Sequence, residues 1–347
     1  MADLENSFQV MHRFPAAAIE VKWRDCLAAS DFSTHYAAPE FFSEPAFADR
    51  KPFAVLSILD DKVTGALTGL SDGAHVQSGL SVRPQIAFRR GADRAKAMAN
   101  LLCGLLVQAK TAKLLDLFVW SDMDALVEDR FSRRRYDGVV MLDLSRGPGA
   151  LFRSFSENKR TNIKKAIKYG VSVAQATKRD EISDYFKICA DWSRRKGLPV
   201  AAEEQFHQTF ELTGNRRLFL ARHEGKVVAG VVIRFFPGGV MEYAANSSLQ
   251  AALRLRPNDL LHWRAIEWGC REGLAHYSLG GTHLFLRKFG GEVVSTTRCR
   301  LDLSLFRRYA VRDWLAERAD RARSALPGSI VAIGRSVYGR TTAATRK

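Results

Sequence analysis

The sequence predicts an α/β (α+β) fold made of two similar units, each a mixed, largely antiparallel sheet flanked by helices. Three observations predict it: a strand hairpin in each half, a helix that follows each hairpin, and a glycine-proline break between the halves. The chain has 347 residues, 46% of them apolar, which is enough for two domains that each bury a core.

The hairpins are the clearest elements. Residues Phe53 to Leu70 form two apolar runs joined by a tight acidic turn, which is the pattern of paired strands. Residues Leu218 to Phe235 repeat this plan, with Lys226 and Gly230 at the places of Lys62 and Gly65. The hairpins therefore begin two related units.

The elements after each hairpin also correspond. A third strand is predicted in "QSGLSVRPQIAF" and in "VMEYAANSS", a helix in "GADRAKAMANLLCGLLVQAK" and in "RPNDLLHWRAIEWGCREG", and a fourth strand in "KLLDLFVW" and in "AHYSLGG". Each unit then has a basic, aromatic and glycine turn, "RRYDG" or "RKFGG", before a last strand. The same elements in the same order, about 165 residues apart, indicate an internal duplication.

The segment "SRGPGA" separates the units, because Gly147, Pro148 and Gly149 disfavour the interior of a helix or a central strand. We therefore predict a first domain at 1–146, a second domain at 147–305 and a basic amphipathic C-terminal tail at 306–347.

A strongly basic helix is predicted directly after this break. Ser154 and Glu157 have capping-box spacing, so the helix could begin near Ser154, or a short helix could precede a second one near Ser156. The predicted apolar stripe is Ile163, Ala166 and Ile167. Beside it, spaced by four residues, lies a row of cations: Arg160, Lys164 and Lys168. These cations either meet an anionic substrate or form a solvated face.

Charge and composition limit the partners and the location that the protein can have. A formal net charge of +16 predicts attraction to phosphates, nucleic acid or an anionic membrane surface. The N-terminus lacks the pattern of a signal peptide and no apolar run reaches the length of a membrane span, so we expect a cytoplasmic protein. The tail either packs on the second domain or contacts the inner face of the membrane.

Several segments carry a family resemblance. The stretch "LFRSFSENKRTNIKKAIKYGVSV", followed by "LRPNDLLHWRAIEWGCREGLAHYSLGGT" and "FLRKFGGE", resembles the Fem-type peptidoglycan-bridge aminoacyl transferases and their acyltransferase relatives. The resemblance implies two tandem acetyltransferase-like (GNAT) domains and an enzyme that transfers an acyl group to an amine. The chain departs from many relatives at Ser278, where an acid is common, and at Leu286, where a lysine is common.

The resemblance and the chemistry of acyl transfer together suggest the site residues. Such a transfer needs a base for the amine, stabilisation of the carbonyl oxygen and alignment of both substrates. The splayed strand of the GNAT fold would be Val240 to Ser248. The candidate catalytic residues are Glu242, Tyr243 and His262, and since Glu242 and Tyr243 are adjacent in a strand, at most one of them faces the cleft.

The remaining site candidates are cationic or polar. A helix that begins at Pro257 after two arginines predicts a phosphate site, and the donor-binding candidates are Arg254, Arg256, Asn258 and Lys288. The substrate-binding candidates are Arg83, Gln85, Arg160, Lys164 and Lys168. The histidines and cysteines have no metal-ligand spacing, so we expect no metal and no bound cofactor.

Three functions remain open at this point. The first is a Fem-like N-acyltransferase that uses aminoacyl-tRNA or acyl-CoA as co-substrate and acts on a cell-envelope or polysaccharide precursor such as peptidoglycan or exopolysaccharide. The second is a conventional acyl-CoA-dependent N-acetyltransferase that acts on a small or sugar amine. The third is a nucleic-acid-binding protein on a non-catalytic transferase fold, which the net charge favours.

Overall fold

A computed structural model of the chain describes residues 7–47, 50–80, 82–211, 213–312, 314, 315 and 318. The strands of the first half are β1 (Phe8–Met11), β2 (Lys51–Leu59), β3 (Lys62–Ser71), β4 (His75–Ser78), β5 (Ile86–Phe88), β6 (Leu114–Trp120) and β7 (Ser132–Asp143). The strands of the second half are β8 (Ser172–Gln175), β9 (Arg216–His223), β10 (Lys226–Phe235), β11 (Val240–Ser248), β12 (His276–Ser278) and β13 (Glu292–Asp302).

The helices flank the sheet that these strands form, on both of its faces. They are α1 (Ala17–Ala28), α2 (Arg94–Gln108), α3 (Gly147–Ser154), α4 (Glu157–Lys168), α5 (Arg179–Arg195), α6 (Glu203–Glu211), α7 (Pro257–Arg271) and α8 (Leu284–Arg287). Short 3-10 helices lie at His35–Ala37 and Pro39–Ser43, in the connection that joins α1 to β2.

The predicted α/β class and the two similar units are confirmed. Strands β2, β3 and β4, helix α2 and strand β6 have their counterparts in β9, β10, β11, α7 and β12, in the same order. The central strands are buried on both sides, as in β6, where every residue is buried. Helices cover both faces of such strands, which is why these runs do not alternate between polar and apolar residues.

The last strands of the two units are exchanged, so that the described strands form one continuous sheet. Its order is β1-β2-β3-β4-β6-β13-β7-β12-β11-β10-β9-β8, with β5 paired to β3. The second half of β13, from Thr296 to Asp302, pairs with β6 of the first unit. In return, Met141 to Asp143 of β7 pair with β12 of the second unit. The predicted boundary at 146/147 is therefore crossed by strand pairing.

The exchanged strands approach each other closely at Gly138. This glycine has a φ of +76°, and a Cβ at its position would lie 1.9 Å from the main-chain oxygen of Val294. The register of β13 against β7 shifts between Val294 and Thr296, which marks a bulge at this point. Only glycine fits, because a side chain would collide with main-chain atoms that cannot rotate away.

Several local predictions are corrected. The turn predicted in "RRYDG" lies inside β7, and the third strand of the first half is split into β4 and β5 by a loop. Gly147 to Gly149 do not form an irregular linker but begin helix α3, with Pro148 in its first turn, a position that proline favours. Ser156 caps the separate helix α4, as in the alternative of two helices.

The tail lies mostly outside the described residues, which end at 318. Its described part begins with a short 3-10 helix, Leu305–Arg307. Large apolar side chains are exposed here, with Phe306 95% exposed and Trp314 51% exposed. Arg318 lies over the Trp314 ring, with its guanidinium carbon 4.2 Å from the ring centroid.

Candidate active site

The strands β11 and β12 run side by side for only three residues and then part. Val240, Met241 and Glu242 pair with His276, Tyr277 and Ser278 in parallel register. Beyond this point β11 continues to Ser248, while Leu279 and Gly281 bond to Val140 of β7 instead. The result is a gap between two parallel strands, of the kind in which main-chain groups are left free to bind an acyl group.

Glu242 lies at the point where the strands part. It is 2% exposed, and its Oε2 atom has no hydrogen-bond partner among the described residues. Burial raises the pKa of its carboxyl to about 7, against the opposing charges of Arg83 and Arg234. A carboxyl that is half ionised at neutral pH can accept a proton and release it again, as a general base must.

Two arginines and a tyrosine surround this carboxyl on one face of the sheet. Arg234 lies directly opposite Glu242 on β10 and donates from Nη1 to the Tyr36 hydroxyl oxygen, 2.7 Å away. Arg83 comes from the first unit and donates from Nη1 to the main-chain oxygen of Tyr243, 3.2 Å away. It thereby reaches the start of the gap between β11 and β12.

A buried ionic network fixes these groups. Glu44 is fully buried and accepts hydrogen bonds from Arg216 (2.7 Å), Arg234 (2.8 Å) and the Nε2 atom of His35 (2.7 Å). Burial alone would raise the pKa of Glu44, but the hydrogen bond from His35 and the charges of the two arginines hold it at about 2. Since Glu44 and His35 belong to the first unit and both arginines to the second, the network joins the units beside Glu242.

The other two catalytic candidates lie on the opposite face of the sheet. The ring of Tyr243 packs edge-on against His262 of α7, with centroids 4.9 Å apart. His262 is 1% exposed, and its Nδ1 atom lies 2.8 Å from the Tyr277 hydroxyl. Burial, with smaller contributions from the charges of Lys159 and His283, lowers the pKa of His262 to about 3. With a pKa this low and with its Nδ1 atom paired to Tyr277, the imidazole has the environment of a core residue.

A buried lysine lies beside His262. Lys159 of α4 is 1% exposed and its Nζ atom is 2.6 Å from Oδ1 of Asp259, in the first turn of α7. The same Nζ atom lies 3.4 Å from the ring centroid of Phe285 and 4.0 Å from that of Phe289. Burial lowers the pKa of Lys159, and its pairing with Asp259 opposes this shift. The ion pair thus clamps α4 to the start of α7.

The predicted phosphate site is formed by the N-terminus of α7. Arg256 has left-handed backbone angles, with a φ of 59°, and no side chain caps the helix. Arg254 and Arg256 are exposed, and Asn258 bonds to Asn246 of β11 at 3.2 Å. The structure therefore brings Asn258 next to β11 and leaves both arginine side chains exposed to solvent.

The remaining candidates are spread over the surface and the core. Lys288 is half-buried near Lys159, and its main-chain oxygen accepts from the amide of Ser156. Gln85 is fully buried and bonds to the Gly79 amide and the Thr68 hydroxyl. An amide that is bonded at both its oxygen and its nitrogen supports the neighbouring chain.

The cationic row on α4 is only partly free. Arg160 donates from Nη1 to the main-chain oxygens of Arg153 and Phe155, at the C-terminus of α3. Lys164 and Lys168 are exposed. The buried face consists of Lys159, Ile163 and Ala166, whereas Ile167, predicted to be apolar and buried, is 50% exposed.

Sequence reasoning missed Lys159, Asp259, Arg234 and Glu44. Lys159 precedes Ile163 by one helical turn, so its position on the apolar face was available from the spacing. Arg234 and Glu242 are charges inside apolar strands, which is itself a signal of pairing or function. Glu44 carries no comparable signal.

The residues that the structure describes contain neither a candidate metal cluster nor a membrane-spanning helix. No group of three histidine, cysteine or acidic side chains is placed to hold a metal ion in this part of the chain. None of its helices combines the length and the apolar character needed to cross a membrane.

Comparisons with known proteins agree with this geometry. Residues 153–288 match the family model of the acetyltransferase (GNAT) domain. The crystal structure of FemX is similar with a TM-score of 0.62 and 12% identity, covering 85% of this chain and 98% of that chain. None of the curated proteins compared with the chain matches it.

Two further solved structures have the same overall fold. The C-terminal domain of a putative lysylphosphatidylglycerol synthetase from Agrobacterium fabrum has a TM-score of 0.58 and 10% identity, covering 82% of this chain and 93% of that one. A tandem GNAT protein from the clavulanic acid biosynthesis pathway has a TM-score of 0.50 and 14% identity, and the match covers 86% of this chain and 99% of that one. Residues 153–288 thus match an acetyltransferase (GNAT) domain, and the chain as a whole is similar in fold to FemX and to the tandem GNAT protein.

Proposed function

We propose that this protein transfers an acyl or aminoacyl group to the amine of a cell-envelope or polysaccharide precursor, with Glu242 as the general base. The observation that carries the proposal is the position of Glu242, a buried carboxyl with a pKa of about 7 where β11 and β12 part. Its Oε2 atom has no hydrogen-bond partner in the described part of the chain, so it is free to take a proton from a bound amine.

The reaction forms one bond and breaks another. The amine nitrogen attacks the carbonyl carbon of the donor, a C–N bond forms, and the thioester C–S bond or ester C–O bond of the donor breaks. Glu242 accepts the proton that the nitrogen loses, and this proton returns to the leaving sulfur or oxygen. Of the two adjacent candidates, Glu242 is the one that shares its face with Arg83 and Arg234, while Tyr243 packs on His262.

The donor would bind at the second unit. Its phosphates would meet the uncapped N-terminus of α7 and the exposed side chains of Arg254 and Arg256. Replacing both arginines with alanine should weaken donor binding about tenfold or more. The pair Arg271→Ala and Arg264→Ala, at the far end and on the side of the same helix, is the matched control.

The substrate class is supported by two comparisons and by charge. FemX and the lysylphosphatidylglycerol synthetase domain share this fold, and the second is named for a lipid product. The exposed Lys164 and Lys168, near the C-terminus of α4, suit an anionic precursor. Peripheral contact of the basic tail with the inner face of the membrane fits the same substrate, because Phe306 and Trp314 are exposed beside arginines.

A conventional acyl-CoA donor is the second candidate, because the family model that matches is an acetyltransferase domain. Acetyl-CoA and charged tRNA should therefore be offered in parallel to the pure protein, with amine acceptors present. We expect saturable consumption of one donor, lost in Glu242→Gln and kept in the surface variant Glu204→Gln. Consumption of neither donor, or equal turnover by Glu242→Gln, would contradict the proposal.

A further inference from the structure

A cavity lies in the first unit, at the place that corresponds to the gap between β11 and β12. It measures about 310 Å³ and lies where β5 and β6 are separated, beside the start of α2. Strand β13 of the second unit completes it, since Glu292 and Val294 line one side. The cavity thus depends on the exchange of the last strands.

The lining combines aromatic rings with charged groups. Phe32, Phe88 and Trp120 form the apolar part, and the ring centroids of Phe32 and Trp120 are 5.3 Å apart. The charged lining residues are Asp31, Asp122, Glu292 and Arg94. Flat apolar rings beside hydrogen-bonding side chains of both kinds suit a ligand that has an apolar face and polar edges, as a sugar ring has.

The balance of charge favours a cationic ligand. Arg94 contacts Asp31 at 3.4 Å and Asp122 only at 4.0 Å, and Asp31 is also paired with Arg90. Glu292 is exposed at the edge of the cavity. A cavity with more carboxylates than cations stands out in a chain with a net charge of +16.

The same place is poorly suited to a phosphate. The first-turn amides of α2, those of Ala95 and Lys96, both donate to the carboxylate of Asp93 at 3.0 Å. Helix α7, in the second unit, has no capping side chain. The two units therefore differ at the position where an anionic donor would be held, and the first unit presents an anion there itself.

The cavity and the candidate base lie on the same face of the sheet. Phe32 stacks on His276, with centroids 5.1 Å apart, and His276 pairs with Val240, two residues before Glu242. Two residues of strand span about 7 Å, and alternate residues share one face of a sheet. The Phe32 wall of the cavity thus lies beside β12, one strand over and two residues along from Glu242, on the same face of the sheet.

We propose that this cavity binds a sugar ring that carries a protonated amine. Its hydroxyls and ammonium group would meet the carboxylates of Asp122 and Glu292, and its apolar face would meet the rings of Phe32 and Trp120. Use of this ligand as the acyl acceptor rests on the proposed function, whereas the binding itself does not.

The test is direct binding of glucosamine to the full chain, measured by calorimetry and by saturation-transfer NMR. We expect saturable binding, about fivefold weaker for N-acetylglucosamine, which lacks the charge. The double variant Asp122→Asn, Glu292→Gln should also bind glucosamine about fivefold less tightly. The control double variant Asp129→Asn, Glu272→Gln loses the same charge at exposed positions away from the cavity and should bind as the wild type does.

The outcomes separate this proposal from the proposed function. Binding that survives Glu242→Gln while turnover is lost supports both. Absence of saturable glucosamine binding, or equal weakening in the cavity variant and in the control variant, would overturn the sugar site and leave the acyl transfer untouched.

Discussion

Glu242 lies directly opposite Arg234 on the neighbouring strand, yet its Oε2 atom has no hydrogen-bond partner in the described structure. The guanidinium of Arg234 instead bonds to Tyr36 and Glu44. Glu242 is thus near the positive charge of Arg234, which already bonds to other residues. Burial therefore dominates and raises the pKa of Glu242 to about 7.

This raised pKa makes the folded state more stable at low pH. Because the folded protein holds the Glu242 proton more tightly than the unfolded chain does, the stabilisation is complete below pH 4.5 and is lost as pH rises through about 7. The loss is about 3 kcal/mol. We predict that Glu242→Gln removes this dependence and unfolds at a higher temperature than the wild type at pH 8. Calorimetry at pH 5 and pH 8 checks this prediction. The same fall in unfolding temperature between these pH values in the wild type and in Glu242→Gln would contradict it.

Removing the charge of Arg83 should shift the pH profile of the reaction. The charge of Arg83 lowers the pKa of Glu242. In Arg83→Met this pKa should therefore rise, and the acidic limb of the pH profile of kcat/KM should shift to higher pH by about one unit. The profile of Arg89→Met, an arginine of the first unit that bonds to Val63, is the control. If Arg83 only binds substrate, Arg83→Met will raise KM, and the acidic limb of the pH profile will stay at the same pH as in the wild type.

The ionic network around Glu44 should be essential for stability. Glu44→Gln leaves Arg216 and Arg234 buried without a counter-charge, which should cost about 3–5 kcal/mol. The pKa of Glu44 is held at about 2, so its contribution is present above pH 4.5 and is lost as pH falls towards 2. Urea unfolding at pH 7 measures the effect, with the exposed pair variant Glu204→Gln as reference. A change below about 1 kcal/mol would show that the network is dispensable.

The buried pair of Lys159 and Asp259 can be tested by a double-mutant cycle. Lys159→Met leaves the Asp259 carboxylate buried alone and should destabilise the protein by about 3–5 kcal/mol. Lys159→Met with Asp259→Leu removes both charges and should recover most of this loss. Urea unfolding of the wild type, Lys159→Met, Asp259→Leu and the double variant gives the coupling energy between the two side chains. A double variant no more stable than the single one would mean that the lysine contributes mainly through the Phe285 and Phe289 rings.

The contact between the exchanged strands should depend on Gly138. Gly138→Ala should destabilise the protein by at least about 2 kcal/mol, since the new Cβ would collide with the main-chain oxygen of Val294. Gly149→Ala, in the first turn of α3, should be neutral or stabilising, because the new Cβ would make only an ordinary contact, 3.7 Å, with the Arg153 side chain. Thermal unfolding compares them. Equal stability of the two variants would show that β7 and β13 can move apart at little cost.

The sequence alone determined the two related units, because strand and helix patterns repeat in order and depend on neighbours within a few residues. It also determined the basic helix α4 and the placing of Glu242 in a strand. Only the tertiary structure decided that the last strands cross between the units, since strand pairing joins residues such as Met141 and Ser278 that are far apart in the chain.

Tertiary structure also decided which charges are buried. Lys159 and Arg160 are neighbours in one basic segment, yet one forms a buried ion pair and the other caps the end of α3. The helical phase separates neighbouring side chains by about 100°, and what packs on each face comes from distant segments. The pKa of Glu242 has the same origin: its residue type is in the sequence, while the burial and the arginines that set its proton affinity come from the folding of both units around it.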